Sequence, residues 1–541
     1  MPTLELGHFR RAAVDIGAHG DNDTLPFDID NRFIKQNAEV LANIAFEYCR
    51  ELTQGTADAA RKAISSLNIF SERLLAPTGP TGFRIATKIH PFWNLYFNGL
   101  GIAIAEALEP TRSSRVHSYR FAPQGDGLFV KEASWRAFRE ATVTECLAQP
   151  EGAIVVQTDI SSFYEHVSHH RIENSINDVF GGDRTVSAQV DRFLSRFAAG
   201  RSFGLPVGGQ CSRILAELLL SLVDQQLTDA ELIWRRYVDD FVIITPTQSE
   251  AYRALSILAH ALADYGLTLN RTKTILLTSK HYIDYVRTQL GIAGNETNKL
   301  LEIDLHFDPY SDTADSDYEQ LKQVVESLDI SALLDLELQK AQPDTFLVSQ
   351  ISRTLKLQQP NVAIQLCRTL LSQENLHAFR ASWSTIMRGV AHVRSDDSFG
   401  AIFSHLDELL DAIPSHSPHL LTAEASQLHY LRTIRFRRTD ARAQYVYRVY
   451  SSTPSQSVRR ACIECWGTWR DRPSFTRERN RWNSLQPDEQ RMLWLAAANF
   501  DDEGNRFRAQ VRHSLPQAWQ LGIERSNKPT FASVYAAWNG S

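Results

Sequence analysis

Along residues 32–54 apolar side chains return every three or four positions, at Phe33, Ala38, Leu41, Ile44, Ala45 and Tyr48. That is the period of one helix face, and it predicts a helix from Arg32 to Gln54. Pro77, Gly79, Pro80 and Gly82 then predict a loop, and a second periodic run behind Pro91 predicts a long helix from Phe92 to Leu108. Val116 to Phe121 alternates like a strand. The apolar run Ala153 to Asp159 predicts a strand ending in an acid, and Leu232 to Thr245 predicts two strands joined at a turn holding Asp239 and Asp240. Helical patterns lie between them, the clearer from Ser212 to Leu227. This alternation predicts an α+β arrangement, a sheet with helices on one face.

Beyond Ser316 the strand pattern stops. Amphipathic stretches predict helices at Tyr318–Leu328, Ile364–Leu371, Phe403–Ala412, Ser457–Trp469 and Pro487–Phe500, without a crisp repeat period. The pattern therefore divides the chain into a helical lead-in (1–75), a mixed region (76–315) and an all-helical, repeat-like region (316–541).

A chain of 541 residues exceeds one ordinary core, and 43% hydrophobic with 22% charged residues is a globular composition. The formal charge of -6 neither supports nor excludes a nucleic-acid partner, because a local groove can be basic in an acidic protein. Six scattered cysteines do not make a disulfide framework. Cys462 and Cys465 form one CxxC without a second ligand pair nearby, so they read as structural. With no signal peptide or membrane-length apolar run, a cytoplasmic protein without membrane contact is expected.

The chemistry lies in the acids. Joining nucleotides requires a 3′-hydroxyl to attack an α-phosphate in line, and paired metal ions about 4 Å apart stabilise the attacking and leaving oxygens. Magnesium takes carboxylate and phosphate oxygens. Asp159 at a strand end and Asp239-Asp240 on a hairpin are a way of bringing such carboxylates to one point. The plain alternative is a solvated turn and a strand-end cap.

Context makes the pattern specific. Thr158-Asp-Ile-Ser-Ser-Phe-Tyr-Glu-His-Val167, Gly204-Leu-Pro-Val-Gly-Gly-Gln-Cys-Ser212, Tyr237-Val-Asp-Asp240 and Gly266-Leu-Thr-Leu-Asn-Arg-Thr-Lys273 resemble, in order, motifs A, B, C and D of reverse transcriptases. The resemblance covers about Arg84 to Leu277 and implies a right-hand-like fingers and palm, making DNA from dNTPs. It implies Asp159, Asp239 and Asp240 as catalytic ligands of two Mg2+ ions, or Mn2+ in their place, with the Ile160 carbonyl as a further ligand. Lys273 is implied as the cation at the leaving pyrophosphate. Tyr164 is implied as the wall excluding a 2′-hydroxyl, Gly208, Gly209 and Ser212 as residues lining the substrate, and Arg84, Lys88 and Arg120 as a triphosphate clamp. Taken singly, Tyr164 reads as a core aromatic, the glycines as a turn before a helix with Ser212 as its N-cap, and Lys273 as a surface residue.

Two departures narrow the resemblance. Val207 stands where many templated enzymes have glutamine, and neither a primer-grip hairpin nor a thumb follows motif D. With the all-helical C-terminal region in place of a thumb, the chain is similar to bacterial abortive-infection and defence-associated reverse transcriptases. That similarity implies antiphage defence, homo-oligomers and, in some members, DNA synthesis without a template from a protein hydroxyl, leaving a single-stranded product covalently attached. The alternatives are a conventional RNA-templated enzyme of retron or group II intron type, and a catalytically dead scaffold. Arginines from Arg432 to Arg448, notably Arg435, Arg437 and Arg438, alternate with aromatics and read either as a single-stranded nucleic-acid surface or as a solvated helix face.

Overall fold

The computed structural model describes residues 3–53, 57–79, 81–125, 127–290, 300, 322–323, 325–340, 343–515, 519, 521 and 528–538. Four helices lead in: α1 (Leu6–His19), α2 (Ile29–Gln36), α3 (Ala38–Thr53) and α4 (Ala57–Ser65). The helix expected from Arg32 to Gln54 is thus two. Asn37 ends the first, its backbone N–H and its side-chain amide both donating to the Phe33 carbonyl.

The Pro- and Gly-rich stretch is the turn of an antiparallel hairpin, β1 (Ser71–Thr78) and β2 (Gly82–Ile89), in which Thr78 faces Gly82. The boundary expected at residue 75 therefore falls inside β1. Next comes α5 (Pro91–Leu108), started by Pro91 at its first turn and capped by the His90 ring. It is buried nearly all round, so it forms the spine on which α1 packs, with Phe9 and Tyr96 rings 5.5 Å apart.

After α5 come α6 (Trp135–Leu147), β3 (Ile154–Asp159), α7 (Phe163–His166), α8 (His169–Val179), α9 (Thr185–Phe197) and α10 (Gln210–Asp229). They are followed by β4 (Ile233–Tyr237), β5 (Asp240–Thr245), α11 (Gln248–Ala263), β6 (Ile275–Thr278) and α12 (Ser279–Gln289). The strands form an antiparallel sheet in the order β4-β5-β3-β6. Both sheet faces are buried, which explains why β3 and β5 read as continuous apolar runs. Val156, Phe241 and Ile243 face the main core with α10 and α11. Val155, Val242 and Ile244 face a second cluster formed by Phe138 and Cys146 of α6 with Tyr282 and Val286 of α12. The expectation of helices on one face is corrected: period-2 logic places only half of each strand on either side, and both halves here are apolar.

Val116 to Phe121 is not a strand. It makes isolated bridges, Val116 to Arg236 and Phe121 to Phe129, and Tyr119 turns it at φ +44.

From residue 325 onward every described element is helical. The predicted helices lie in Pro360–Leu371, Phe403–His416, Gln456–Thr468 and Pro487–Ala496. Most of Tyr318–Leu328, with the boundary at 316, lies outside the described residues. Cys462 and Cys465 are buried free thiols on one helix, and burial raises both thiol pKa values.

The terminal regions meet. The helix Phe531–Ala537 packs Phe531 against Phe33 and Phe92, and one apolar cluster runs from Phe9 to Trp538. No described helix is long and apolar enough to cross a membrane.

Candidate active site

Asp159 is the last residue of β3, and antiparallel register places it directly opposite Asp240, the first residue of β5. Directly opposed residues stand about 4.5–5.5 Å apart at Cα. Asp239 occupies the turn between β4 and β5. Strand ends thus bring the three predicted acids to one edge of the sheet. Asp159 is buried, while Asp239 and Asp240 are half-buried.

The end of β3 is tied to the motif D segment. The Asn270 N–H donates to the Asp159 carbonyl (2.8 Å), the Ser161 N–H to the Thr268 carbonyl (2.8 Å), and Ile160 bridges Leu269. Thr158 and Thr274 hydroxyls bond at 2.7 Å. These ties carry the turn Asn270–Lys273 to the site, where the Lys273 ammonium pairs with Asp159 Oδ2. The Lys273 side chain is otherwise 64% exposed. Its hydrogen bond to Asp159 raises its pKa, keeping it cationic.

The carboxylates are short of positive charge. Burial, then the neighbouring Asp240 charge, pushes Asp239 up to about 6. Burial also raises Asp240; the Asp159 charge adds to this and Arg139 opposes it. Asp159 Oδ1 is buried with no hydrogen-bond partner. Among the described residues no three His, Cys, Asp or Glu side chains already cluster tightly enough to hold a metal ion. Acids at one end of the sheet, one orphaned carboxylate oxygen and mutual repulsion that a cation would relieve fit the chemistry of a divalent-ion site.

A buried ion-pair network missed in the sequence supports the hairpin from below. Val238, β-branched, sits at φ +54, a strained conformation that persists only where neighbours hold it. Its N–H donates to Ser118 Oγ (2.9 Å) and its carbonyl accepts from Arg236 Nη1 (2.9 Å). Arg236 is fully buried and forks onto Asp224 (2.9 and 2.6 Å) and Glu217 (2.9 Å), seven residues apart on α10. Ser118 and Arg112 also donate to Glu217, at 2.6 Å each. The available signal was an arginine at an inward position of an apolar strand, and acids inside a leucine-rich helix: buried charge demands a partner.

Tyr164 is half-buried on α7 against the core, its ring 5.5 Å from Phe163. Burial, then the nearby Tyr119 hydroxyl, raises its pKa well above normal, and the Asp239 charge adds to this. Gly204 and Gly208 take φ +97 and +112, and a Cβ on Gly208 would lie 2.2 Å from the Asn22 side chain. Gly209 is the N-cap of α10. Ser212 is thus not the cap but the third helical residue, buried with its Oγ unpartnered.

The three residues expected as a triphosphate clamp each have a partner within the chain. Lys88 is 11% exposed and held between Asp21 (2.5 Å) and Asp28 (3.3 Å). Arg120 pairs with Glu109 at 2.5 Å. Arg84 donates to Thr24 Oγ1 (2.7 Å) and faces the helical half across a pocket with Arg380 and His429. The C-terminal arginines are also paired: Arg435 with Glu464, Arg437 with Asp407, Arg438 with Asp440 and Asp471. The side chains of Arg437 and Arg438 stay about half exposed in these pairs.

A cleft of about 330 Å³ opens between the β1–β2 hairpin, α7 and residues 201–207, lined by Arg73, Thr87, His166, Arg201 and Phe203.

Residues 102–290 match the family described as "Reverse transcriptase (RNA-dependent DNA polymerase)". The chain is 32% identical over 76 residues to the telomerase reverse transcriptases of mouse and of rat. That match covers 14% of this chain and spans only 7% of the length of either relative. Among solved structures, apo telomerase from Candida tropicalis aligns over 72% of each chain at 12% identity, with a TM-score of 0.32.

Proposed function

Taking residues 102–290 as a reverse-transcriptase domain, we propose that the chain is a metal-dependent DNA polymerase that copies RNA, the sheet its palm and the β1–β2 hairpin its fingers. The observation that carries this reading is the convergence of Asp159, Asp239 and Asp240 at one sheet edge with Lys273 held against them. The described relatives named as telomerase reverse transcriptases, and the family's own description, support an RNA template.

In this reading Asp159, Asp239, Asp240 and the Ile160 carbonyl would hold two magnesium ions, whose chemistry when bound would be to stabilise charge on the attacking and leaving oxygens. The chain's own groups do the rest. Tyr164 closes the sugar pocket, the Gly204–Gly209 loop admits substrate close to backbone, and Lys273 stands ready to donate a proton to the leaving group. Arg73 and Arg201 give the adjoining cleft a positive wall for a nucleic-acid backbone.

A second reading, a defence polymerase adding deoxynucleotides without a template and from a protein hydroxyl, rests on the resemblance to the abortive-infection group. One observation favours it: Val207 offers no side-chain donor, and its carbonyl is taken by the Thr87 N–H and the Asn22 amide. Cytoplasmic homo-oligomers belong to the same reading.

One experiment separates the two. Purified protein is incubated with Mg2+ and each labelled dNTP, with and without an RNA template and DNA primer, and the product is then digested with protease. Incorporation dictated by the template supports the first reading. Template-free incorporation of label that runs with the protein until digestion supports the second, and no incorporation under any condition sinks both.

A further inference from the structure

The segment between α1 and α2 has no regular structure, yet Asp21, Asn22 and Thr24 are buried. On one side it is fastened to the loop before α10. Asn22 Nδ2 donates to the carbonyls of Val207 (3.0 Å) and Thr87 (3.2 Å), and the Asp23 N–H donates to the Gly208 carbonyl (3.1 Å). The Asn22 side chain fills the space where a Cβ on residue 208 would stand. The Asp23 carboxylate accepts from Arg213 (2.7 Å), whose guanidinium lies 5.1 Å from the Tyr119 ring centroid.

On its other side the same segment is fastened to the helical half. Arg388, an exposed residue of the helix Trp383–Ser395, donates to the carbonyls of Asp23 (2.9 Å) and Leu25 (3.1 Å). His429 bonds the Thr24 carbonyl (3.0 Å), Arg432 donates to the Phe27 carbonyl, and Arg460 pairs with Asp28 (2.7 Å).

We infer that residues 21–28 are a strap through which the helical half sets the substrate loop of the polymerase, with Asn22 and Asp23 as positioning residues. The inference rests on the polymerase reading and adds the regulation of that site. Backbone carbonyls outside regular structure need partners: the Gly208 carbonyl takes the Asp23 N–H, and the Val207 carbonyl takes the Asn22 amide beside the Thr87 N–H. A shift of the strap therefore withdraws partners from the loop and from Arg213 together. Partner groups reach the strap across about 360 to 430 residues of sequence, so the coupling exists only in the folded whole.

The test uses the full chain with Arg388→Ala, a surface change far from the acids, beside Arg388→Lys and Asn22→Ala. Hydrogen exchange is followed at Thr87 and over residues 204–211 without metal or nucleotide. Nucleotide incorporation is measured in parallel, with Asp239→Asn as the inactive control. Arg388→Ala is expected to speed exchange in both segments, leave exchange in α11 unchanged, and raise KM for dNTP about tenfold, through the loss of its two charge-assisted contacts. Arg388→Lys, which keeps the charge but not the guanidinium, should shift exchange less. Faster exchange over 21–28 with unchanged exchange over 204–211 overturns the strap. An inactive wild type overturns the polymerase reading instead, and the exchange result still judges the strap.

Discussion

Asp239 is the residue at which burial and like charge act together. Its carboxyl, pushed up to about 6, is protonated below that pH and cannot then ligate a cation. Incorporation should therefore rise between pH 5 and 7 and level off; a flat profile across that range counts against a ligand role for Asp239. The sign for stability is opposite to that of a salt-bridged acid. A folded-state pKa above the ordinary carboxylate range means that ionisation at neutral pH opposes folding, and this penalty is relieved as pH falls through about 6. Asp239→Asn should accordingly raise the melting temperature of the metal-free protein at pH 7.5. With Asp240→Asn it should abolish incorporation with the circular dichroism spectrum unchanged. Tyr164→Ala should admit ribonucleotides, measured as the dNTP to rNTP ratio of kcat/KM; an unchanged ratio makes Tyr164 simple packing.

At the scale of elements, the β4–β5 hairpin keeps Val238 in its unusual conformation because α10 supplies two acids to Arg236. Removing one partner of a buried pair leaves uncompensated charge and costs about 3–5 kcal/mol. Arg236→Ala should therefore lose stability on that order by urea denaturation, and lose incorporation with it although it touches no substrate. A loss under 1 kcal/mol would mean that Glu217 and Asp224 are satisfied without it. Gly208→Ala meets both a left-handed φ and the Asn22 side chain, so incorporation should fall sharply.

Across the whole molecule, the helical half packs on the hairpin and the N-terminal strap. Glu424 accepts from the Leu75 N–H (2.9 Å), and Glu72 accepts from the Gln456 and Ser457 N–H groups (2.9 Å each). Deleting that half should therefore abolish activity by freeing the hairpin and strap, which exchange measurements on the truncated chain would show as lost protection there. The triple change of Arg435, Arg437 and Arg438 to Ala removes partly exposed ion pairs worth about 0–1 kcal/mol each. Product length should then hold at low and high salt while the melting temperature drops slightly. Products shortened in a salt-dependent way would instead support the nucleic-acid role.

Local pattern sufficed for β3, the β4–β5 hairpin, α5 and the helices after residue 340, because apolar period and chain punctuation act over a few residues. It also sufficed to bring Asp159, Asp239 and Asp240 to one end of the sheet, since strand ends fix where acids can meet; Tyr164 and Lys273 came only from the resemblance of their motifs. The partners of Lys88, Arg120 and Arg435 were not readable, for a positive charge in a sequence does not say which carboxylate folding brings to it. Nor were Arg236 with Glu217 and Asp224, or Asn22 against Gly208. Those contacts join residues from 12 to 186 positions apart. Only the packing of α10 beneath the sheet, and of the strap between two halves of the chain, decides them, because burial turns each group's need for a partner into a constraint that no single segment can meet.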